Sequence, residues 1–297
     1  MASRGESDLK SIIRATIQER SEKPPLSSES DSAENIIRVS GLASVCPREE
    51  VLCSRHNVSR PEEISADLMM IFEHGNGLHW DMQNKILPQT KTLLGRWLCG
   101  SCGAQHGGEP VWEVPLEWIE GGWNDEYVDR FENSQILRPD KCPNCLNDMS
   151  HENSLYMEQW IKVPELRLAG HPDGFLRLPG LPGLGVLEIK SINSKGAWEV
   201  RNCAKLDHVV QTQTYMWMTG CRWGKILYWD KGTNGMKGII EHTVEYNEDQ
   251  VEAISNIVRD TWEGVRGGDL PTKICASPDC KRANLCAVSD LCFSDRV

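Results

Sequence analysis

Cysteine placement constrains this chain more than any other feature. Twelve cysteines fall in 297 residues. The N-terminal MASRGESDLK lacks the basic-then-apolar layout of a secretory signal, so the thiols are expected to ligate metals or clusters rather than pair as disulfides. Cys99 with Cys102, and Cys142 with Cys145, form two Cys-x-x-Cys knuckles. Each knuckle supplies two thiolates of a tetrahedral site, which predicts one structural zinc. Both knuckles are complete, so His106 is not needed as a ligand. The gap between them is longer than in a minimal ribbon and carries Trp112, Trp118 and Trp123, which are expected to pack inward rather than stack on bases. Cys275, Cys280, Cys286 and Cys292 crowd the last 23 residues. Cys53, Cys203 and Cys221 lack ligand-like spacing and are expected to be core thiols.

Composition narrows the class. With 39% hydrophobic residues the chain buries an ordinary core, and no run of 18 apolar residues occurs, so an intracellular, non-secreted protein is expected. A formal net charge of -11 excludes a protein that coats nucleic acid indiscriminately, though an acidic enzyme can still carry a locally basic cleft. No Walker-type loop is present, which excludes an ATP-driven motor.

Five segments are expected. Residues 1–35 combine a short amphipathic helix (Leu9, Ile12, Ile13, Ile17) with a Ser/Pro-rich linker. Residues 36–96 are mostly helical, with Ile64, Leu68, Ile71 and Phe72 on one face. Residues 97–150 form an inserted zinc module, 151–270 a sheet-rich core, and 271–297 a cysteine-bearing tail. Within the core, LYMEQWIKV, RLAG, FLRL and VLEIKSI read as strands, with a turn at HPDG. A helix from Lys205 to Thr219 stops at Gly220. KILYWD and IIEHTVEY form a hairpin, and Asn247 caps a last helix.

Period-two alternation in VLEIKSI points Glu188 and Lys190 the same way and Leu187 with Ile189 the other. Asp173 lies in a Gly-x-x-Asp-Gly turn fifteen residues earlier, where a hairpin brings it beside Glu188. Two carboxylates so close call for a cation, and hard oxygen donors suit magnesium or manganese. Such an ion polarises a phosphate and activates water, while Lys190 orients the water or offsets growing negative charge. That chemistry is phosphodiester hydrolysis. Alone, a turn Asp and an exposed Glu-x-Lys are ordinary surface residues. His208, Gln211 and Tyr215 share one face of the helix that follows, and Gly75-x-x-x-His79 lies on a helix upstream.

The ordered set GNGLH, GHPDG, EIK and HVVQTQTY resembles the RecB-type branch of the PD-(D/E)XK superfamily, in particular the iron-sulfur exonucleases related to CRISPR-associated and recombination nucleases. The resemblance runs from about Ser40 to Cys292, interrupted by the insertion. It implies an α/β fold of restriction-endonuclease-like type, a short mixed sheet flanked by helices, with the zinc insertion and the C-terminal cysteine cluster added. It further implies that His79, Asp173, Glu188 and the backbone carbonyl of Ile189 bind the catalytic ion, and that Lys190 is the catalytic lysine. Gln211 and Tyr215 then match the family's Gln-x-x-x-Tyr motif, which supports the lysine and the DNA backbone. A nitrogen ligand at His79 favours manganese over magnesium. Glu158 either supports the site or is a surface carboxylate, and His171 is a turn or DNA-facing residue.

SGLASVCPRE resembles the family segment that supplies the first ligand of a structural 4Fe-4S cluster, here Cys46. Three of Cys275, Cys280, Cys286 and Cys292 complete it. Their spacing departs from the family pattern, with one cysteine too many and no x2 pair, and zinc at that place is the competing reading. The expected activity is DNA hydrolysis, exonucleolytic by resemblance, in recombination, repair or replication, with a helicase or recombination protein as a conceivable partner. An endonuclease with the same chemistry and a non-catalytic DNA-binding or partner-binding adaptor are the alternatives.

Overall fold

The computed structural model describes residues 36–58, 65–120 and 123–294. The expected helix around Leu9, Ile12, Ile13 and Ile17, the linker after it, and Ile64 lie outside the described residues. Apart from short helical turns, the chain runs β1 (Ile37–Arg38), α1 (Pro47–His56), α2 (Ala66–Asp81), β2 (Leu93–Cys99), β3 (Gln105–His106), β4 (Val111–Glu113), α3 (Asp125–Ser134), β5 (Ile136–Leu137), β6 (Ser154–Met157), β7 (Trp160–Val163), β8 (Leu168–Gly170) and β9 (Gly174–Leu176). There follow β10 (Gly185–Ile192), α4 (Ser194–Glu199), α5 (Leu206–Thr219), β11 (Trp223–Asp230), β12 (Ile239–Glu245) and α6 (Glu248–Val265).

Two mixed sheets result. The larger runs β12-β11-β10-β9-β2-β3, with β5 and β6 also paired to β2; the smaller runs β1-β8-β7-β4. β10 lies between antiparallel β9 and parallel β11. Its parallel pairing with β11 requires a crossover, which α4 and α5 supply. This is the α/β class expected, mixed sheets flanked by helices, consistent with a restriction-endonuclease-like core. Local signals account for the elements. Gly220 ends α5 at φ 78°, a left-handed value that glycine adopts without strain, and the Asn247 side chain accepts from Gln250 N at 2.9 Å to cap α6.

Two apolar clusters flank the central strand. Val186 belongs to the larger, with Phe175, Tyr215, Ile226 and Tyr228. Leu187 and Ile189 belong to the second, with Trp97, Cys99, Cys142, Met149 and Tyr156. A central strand buried on both faces leaves no solvated side for Glu188, which is 2% exposed, so its placement differs from the exposed strand edge that alternation alone describes.

Three expectations change on contact with the fold. The segment 97–150 is knitted into the main core. Trp112 and Phe131 are buried there, and the Tyr127 hydroxyl accepts from Trp112 Nε1 at 2.6 Å and donates to the Met218 carbonyl at 3.2 Å. Trp118 and Trp123 pack around the same tyrosine ring, so all three tryptophans face inward. Leu68, Ile71 and Phe72 on α2 are 39%, 56% and 47% exposed; the helix meets the core through its C-terminal half, so its apolar stripe stays outside. Cys221 is buried and Cys53 half-buried, but Cys203 is exposed, because it lies in the turn that separates α4 from α5 rather than in either helix.

Candidate active site

The hairpin of β9 and β10 pairs Gly174 with Leu187. Asp173 therefore sits at its open end, alongside Ile189 rather than in the ladder. Its Oδ2 accepts from Ile189 N at 2.6 Å. Glu188 and Lys190 emerge on the same side of β10, as the alternation predicts, and Lys190 Nζ lies 2.5 Å from Glu188 Oε1. The same ammonium donates to Gln211 Oε1 at 3.1 Å. Glu188 Oε2 is buried with no hydrogen-bond partner. An unsatisfied carboxylate oxygen is costly in such a place.

Helix α2 brings His79 to this point. A Cβ on Gly75 would stand 3.2 Å from Ser191 Oγ, so the missing side chain lets the helix close on β10, and one turn later His79 Nδ1 lies 3.2 Å from Asp173 Oδ1. A second close approach seats Tyr215: a Cβ on Gly170 would fall 2.6 Å from the tyrosine oxygen, and that hydroxyl donates to the His171 carbonyl at 2.8 Å. The structure thus brings His79, Asp173, Glu188, Lys190 and Gln211 together. Tyr215 braces the turn that carries Asp173. The Gln211 to Thr219 stretch of α5 is buried throughout, so the polar face of that helix packs onto the site instead of facing water. His208 Nδ1 pairs with the Tyr228 hydroxyl at 2.8 Å, one layer away. The exposed His171 ring lies against Trp160, with centroids 3.9 Å apart.

Two further residues join the site, one that the sequence left open between a supporting role and the surface and one without a local signal. Glu158 lies where LYMEQWIKV breaks: β6 pairs with β2 in the larger sheet, while β7 pairs with β8 and β4 in the smaller. The chain changes sheets at Glu158 and Gln159, which turns Glu158 into the site. There one ligand atom each from His79, Glu158 and Asp173 falls within 4.8 Å of the others. The second residue is Gln83, whose Nε2 donates to Glu158 Oε1 and to the Asp173 carbonyl, both at 2.8 Å. It stands in a π-helical turn, Met82–Ile86, that continues α2. Such turns recur at functional sites, and this one also buries Asn84, which accepts from Tyr156 N at 2.7 Å.

Charge crowding shapes the protonation. Burial first, and the charge of Asp173 second, push Glu188 up to about 8 against the pull of Lys190. Burial draws Lys190 down, but Glu188 and Asp173 outweigh it and the net direction is up. His79 behaves alike: burial lowers it, the hydrogen bond and charge of Asp173 prevail, and it is raised. Lost hydration and then Asp173 lift Glu158 to about 7. That residue stays exposed at the mouth, where water softens the first cause and leaves Asp173 as the firmer one.

A carboxyl raised above its unfolded value near ~4.3 takes up a proton on folding. Its contribution to stability is complete in acid and is lost as pH rises through about 8 for Glu188. In protein dialysed free of loosely held divalent ions, Tm measured calorimetrically should therefore fall from pH 6 to pH 8.5. Saturating Mn2+ should restore more at the upper end than at the lower. A Tm that climbs with pH across that window contradicts the assignment.

The knuckle cysteines converge. Cys99 and Cys145 sulfurs are 3.8 Å apart, and those of Cys102 and Cys142 are 3.7 Å apart. A tetrahedron with ~2.3 Å zinc-sulfur bonds has an edge of about 3.75 Å, so the thiols already hold the spacing of a zinc site. Gly103 and Leu146 take the left-handed turns at φ 73° and 63° that each knuckle needs. His106 Nε2 lies 3.3 Å from Cys142 Sγ. Although burial opposes it, hydrogen bonds from the Cys145 backbone and from His106 draw the Cys142 thiol down to about 6.

Cys46, Cys275, Cys286 and Cys292 line one pocket together with Arg48, Glu49, Lys273 and Arg282. The tail is tied back to the start of the described chain, with Arg48 Nη1 donating to the Pro271 carbonyl at 3.0 Å and Arg282 Nη2 to the Ser44 carbonyl at 2.5 Å. Among the described residues, no helix is long and apolar enough to cross a membrane.

No protein-family model matches the chain. No curated protein matches it by sequence. Among solved structures, an alkaline exonuclease (LHK-Exo) from Laribacter hongkongensis aligns at 13% identity over 78% of this chain and 88% of its own, with a TM-score of 0.43. The same protein in complex with dAMP gives 13% identity, the same coverage and 0.44. SSO0001 aligns at 16% identity over 98% of both chains, with 0.41.

Proposed function

We propose that the chain is a divalent-metal-dependent deoxyribonuclease that hydrolyses phosphodiester bonds. The arrangement of Lys190 carries this reading: its ammonium bridges Glu188 and Gln211, directly beside the His79 and Asp173 pair. The donor set suits an ion. Hard carboxylate oxygens, one imidazole and the unpartnered Glu188 Oε2 are what magnesium or manganese accepts. His79, Asp173, Glu188 and the Ile189 carbonyl would hold it. When bound, the cation neutralises the clustered carboxylates and polarises the scissile phosphate. Lys190 remains an ammonium that stabilises charge growing on the phosphate oxygens and positions the attacking water. Gln211 keeps that ammonium from collapsing wholly onto Glu188.

An acidic chain needs a local path for DNA. β10 leads out of the site into α4, whose surroundings expose Lys195, Arg201, Lys205 and Trp198, the last 73% exposed. Cations interleaved with an accessible indole suit unpaired nucleotides. We assign one zinc to Cys99, Cys102, Cys142 and Cys145. A structural 4Fe-4S cluster is assigned to Cys46 with Cys275, Cys286 and Cys292, the set supported by the shared pocket and by the cations around it. Cys280 stands beside Cys275.

The resemblance to iron-sulfur exonucleases supports action on ends or single strands. Incubation with end-labelled linear single strands and closed circles, in Mg2+ or Mn2+, tests this. Linear DNA should be degraded and circles spared. Cut circles would favour an endonuclease, and no cleavage by metal-loaded protein would leave the adaptor.

A further inference from the structure

We propose that Glu158 is a cation ligand, joined with His79 and Asp173 in one binding position, and that Gln83 is its positioning residue. This rests on the reading of the site as a divalent-metal centre, and adds to it a ligand that the motif comparison leaves undecided.

The geometry begins with the break between β6 and β7. Since the chain leaves one sheet and enters the other there, Glu158 belongs to neither ladder, and its direction is set by side-chain contacts. Gln83 provides them: one amide nitrogen donates to Glu158 Oε1 and to the Asp173 carbonyl at 2.8 Å each. Gln83 is itself 6% exposed, so the clamp is fixed by packing. Its effect is to lock Glu158 to the backbone of the residue whose carboxylate it must adjoin.

The spacing suits a single ion. A six-coordinate cation with ~2.1 Å bonds sets neighbouring ligand atoms about 3 Å apart and opposite ones about 4.2 Å apart. His79 Nδ1 and Asp173 Oδ1, at 3.2 Å, match neighbouring positions, and the full set with Glu158 lies within 4.8 Å. Asp173 divides its labour, with Oδ1 toward this set and Oδ2 held by Ile189 N.

An independent sign of a ligand comes from β10. Glu188 is 2% exposed, its charge acts on both His79 and Asp173, and its Oε2 has no hydrogen-bond partner. The other oxygen is engaged by Lys190. A buried, unsatisfied carboxylate oxygen among the neighbours of His79 and Asp173 calls for positive charge at this set. Imidazole among the donors makes manganese the suitable probe.

Mn2+ titration followed by electron paramagnetic resonance of the free ion reads the site without DNA. Wild type should bind Mn2+, and Lys237→Ala, an exposed lysine outside the site, should bind alike. Glu158→Gln should weaken binding tenfold or more, and Gln83→Leu severalfold. Glu158→Asp, which keeps the charge but withdraws it by one methylene, should fall between wild type and Glu158→Gln, and serves if the glutamine variant does not fold. Isotherms of Glu158→Gln and Glu158→Asp that overlay wild type overturn the inference, whether or not DNA is cut. A tenfold loss in Glu158→Gln upholds the ligand even if wild type proves unable to cleave DNA, in which case the nuclease reading alone fails. Wild type that binds no Mn2+ overturns both.

Discussion

Lys190→Ala should lose about a hundredfold to a thousandfold of the single-turnover cleavage rate, the range seen when one preorganised charge-stabilising donor is removed from an active site. The structure explains why loss should fall on the chemical step. Lys190 Nζ has Glu188 Oε1 at 2.5 Å and Gln211 Oε1 at 3.1 Å, so the side chain is held by two acceptors before substrate arrives. Alanine removes that charge and leaves Glu188 in place. The abandoned carboxyl takes up a proton readily, since its pKa is already raised to about 8, and folding should suffer little. Measured on a 5′-labelled single strand at saturating Mn2+, the rate should drop while DNA affinity changes by less than severalfold. Wild-type rate in the variant would sink the mechanism.

The second large effect concerns zinc. Cys142→Ser should release the single zinc and lower Tm by more than ten degrees. A structural zinc site is worth on the order of 10 kcal/mol in isolated fingers. Even ~5 kcal/mol corresponds to about 10–20 °C in a domain above 150 residues. The loss should also reach catalysis, because Cys99 and Cys142 pack in the same apolar cluster as Leu187 and Ile189, the neighbours in sequence of Glu188 and Lys190. Elemental analysis should find one zinc and about four irons in wild type, and no zinc with undiminished iron in the variant. A variant that keeps its zinc and its Tm contradicts the knuckle assignment. Two zincs and no iron in wild type would refute the cluster.

Much of this site was legible in local pattern. Alternation in VLEIKSI placed Glu188 and Lys190 together because strand period is a property of the backbone, while Gly220 marked a helix end through the left-handed conformation that its lack of a side chain permits, and Asn247 through the capping hydrogen bond its own side chain accepts. Gly75 and His79 were readable as a motif, although the cause, a close approach to Ser191, is tertiary. Glu158 was not resolved, since the alternation of LYMEQWIKV is that of one continuous strand, and only pairing partners distant in sequence divide it. Gln83 carried no signal. An amide after a helix pattern is usually solvated, and nothing local announces a π turn. The exposed stripe of Leu68, Ile71 and Phe72 shows the converse failure: periodicity identifies the helix but not whether its apolar side has a partner.

The π turn at Met82–Ile86 also sets a limit on how this region can vary in length. One residue of an α-helix spans about 100° of rotation, and the π turn absorbs one extra residue without breaking the helix. Excise that residue and the turn reverts to α-helical winding, so the side chains within it change direction while the flanking helix keeps its course. His79 lies one turn before that joint and Gln83 within it, yet both address Asp173. The segment can therefore exchange side chains freely at its surface, whereas a single-codon deletion there would part the histidine from the amide while changing composition and charge hardly at all.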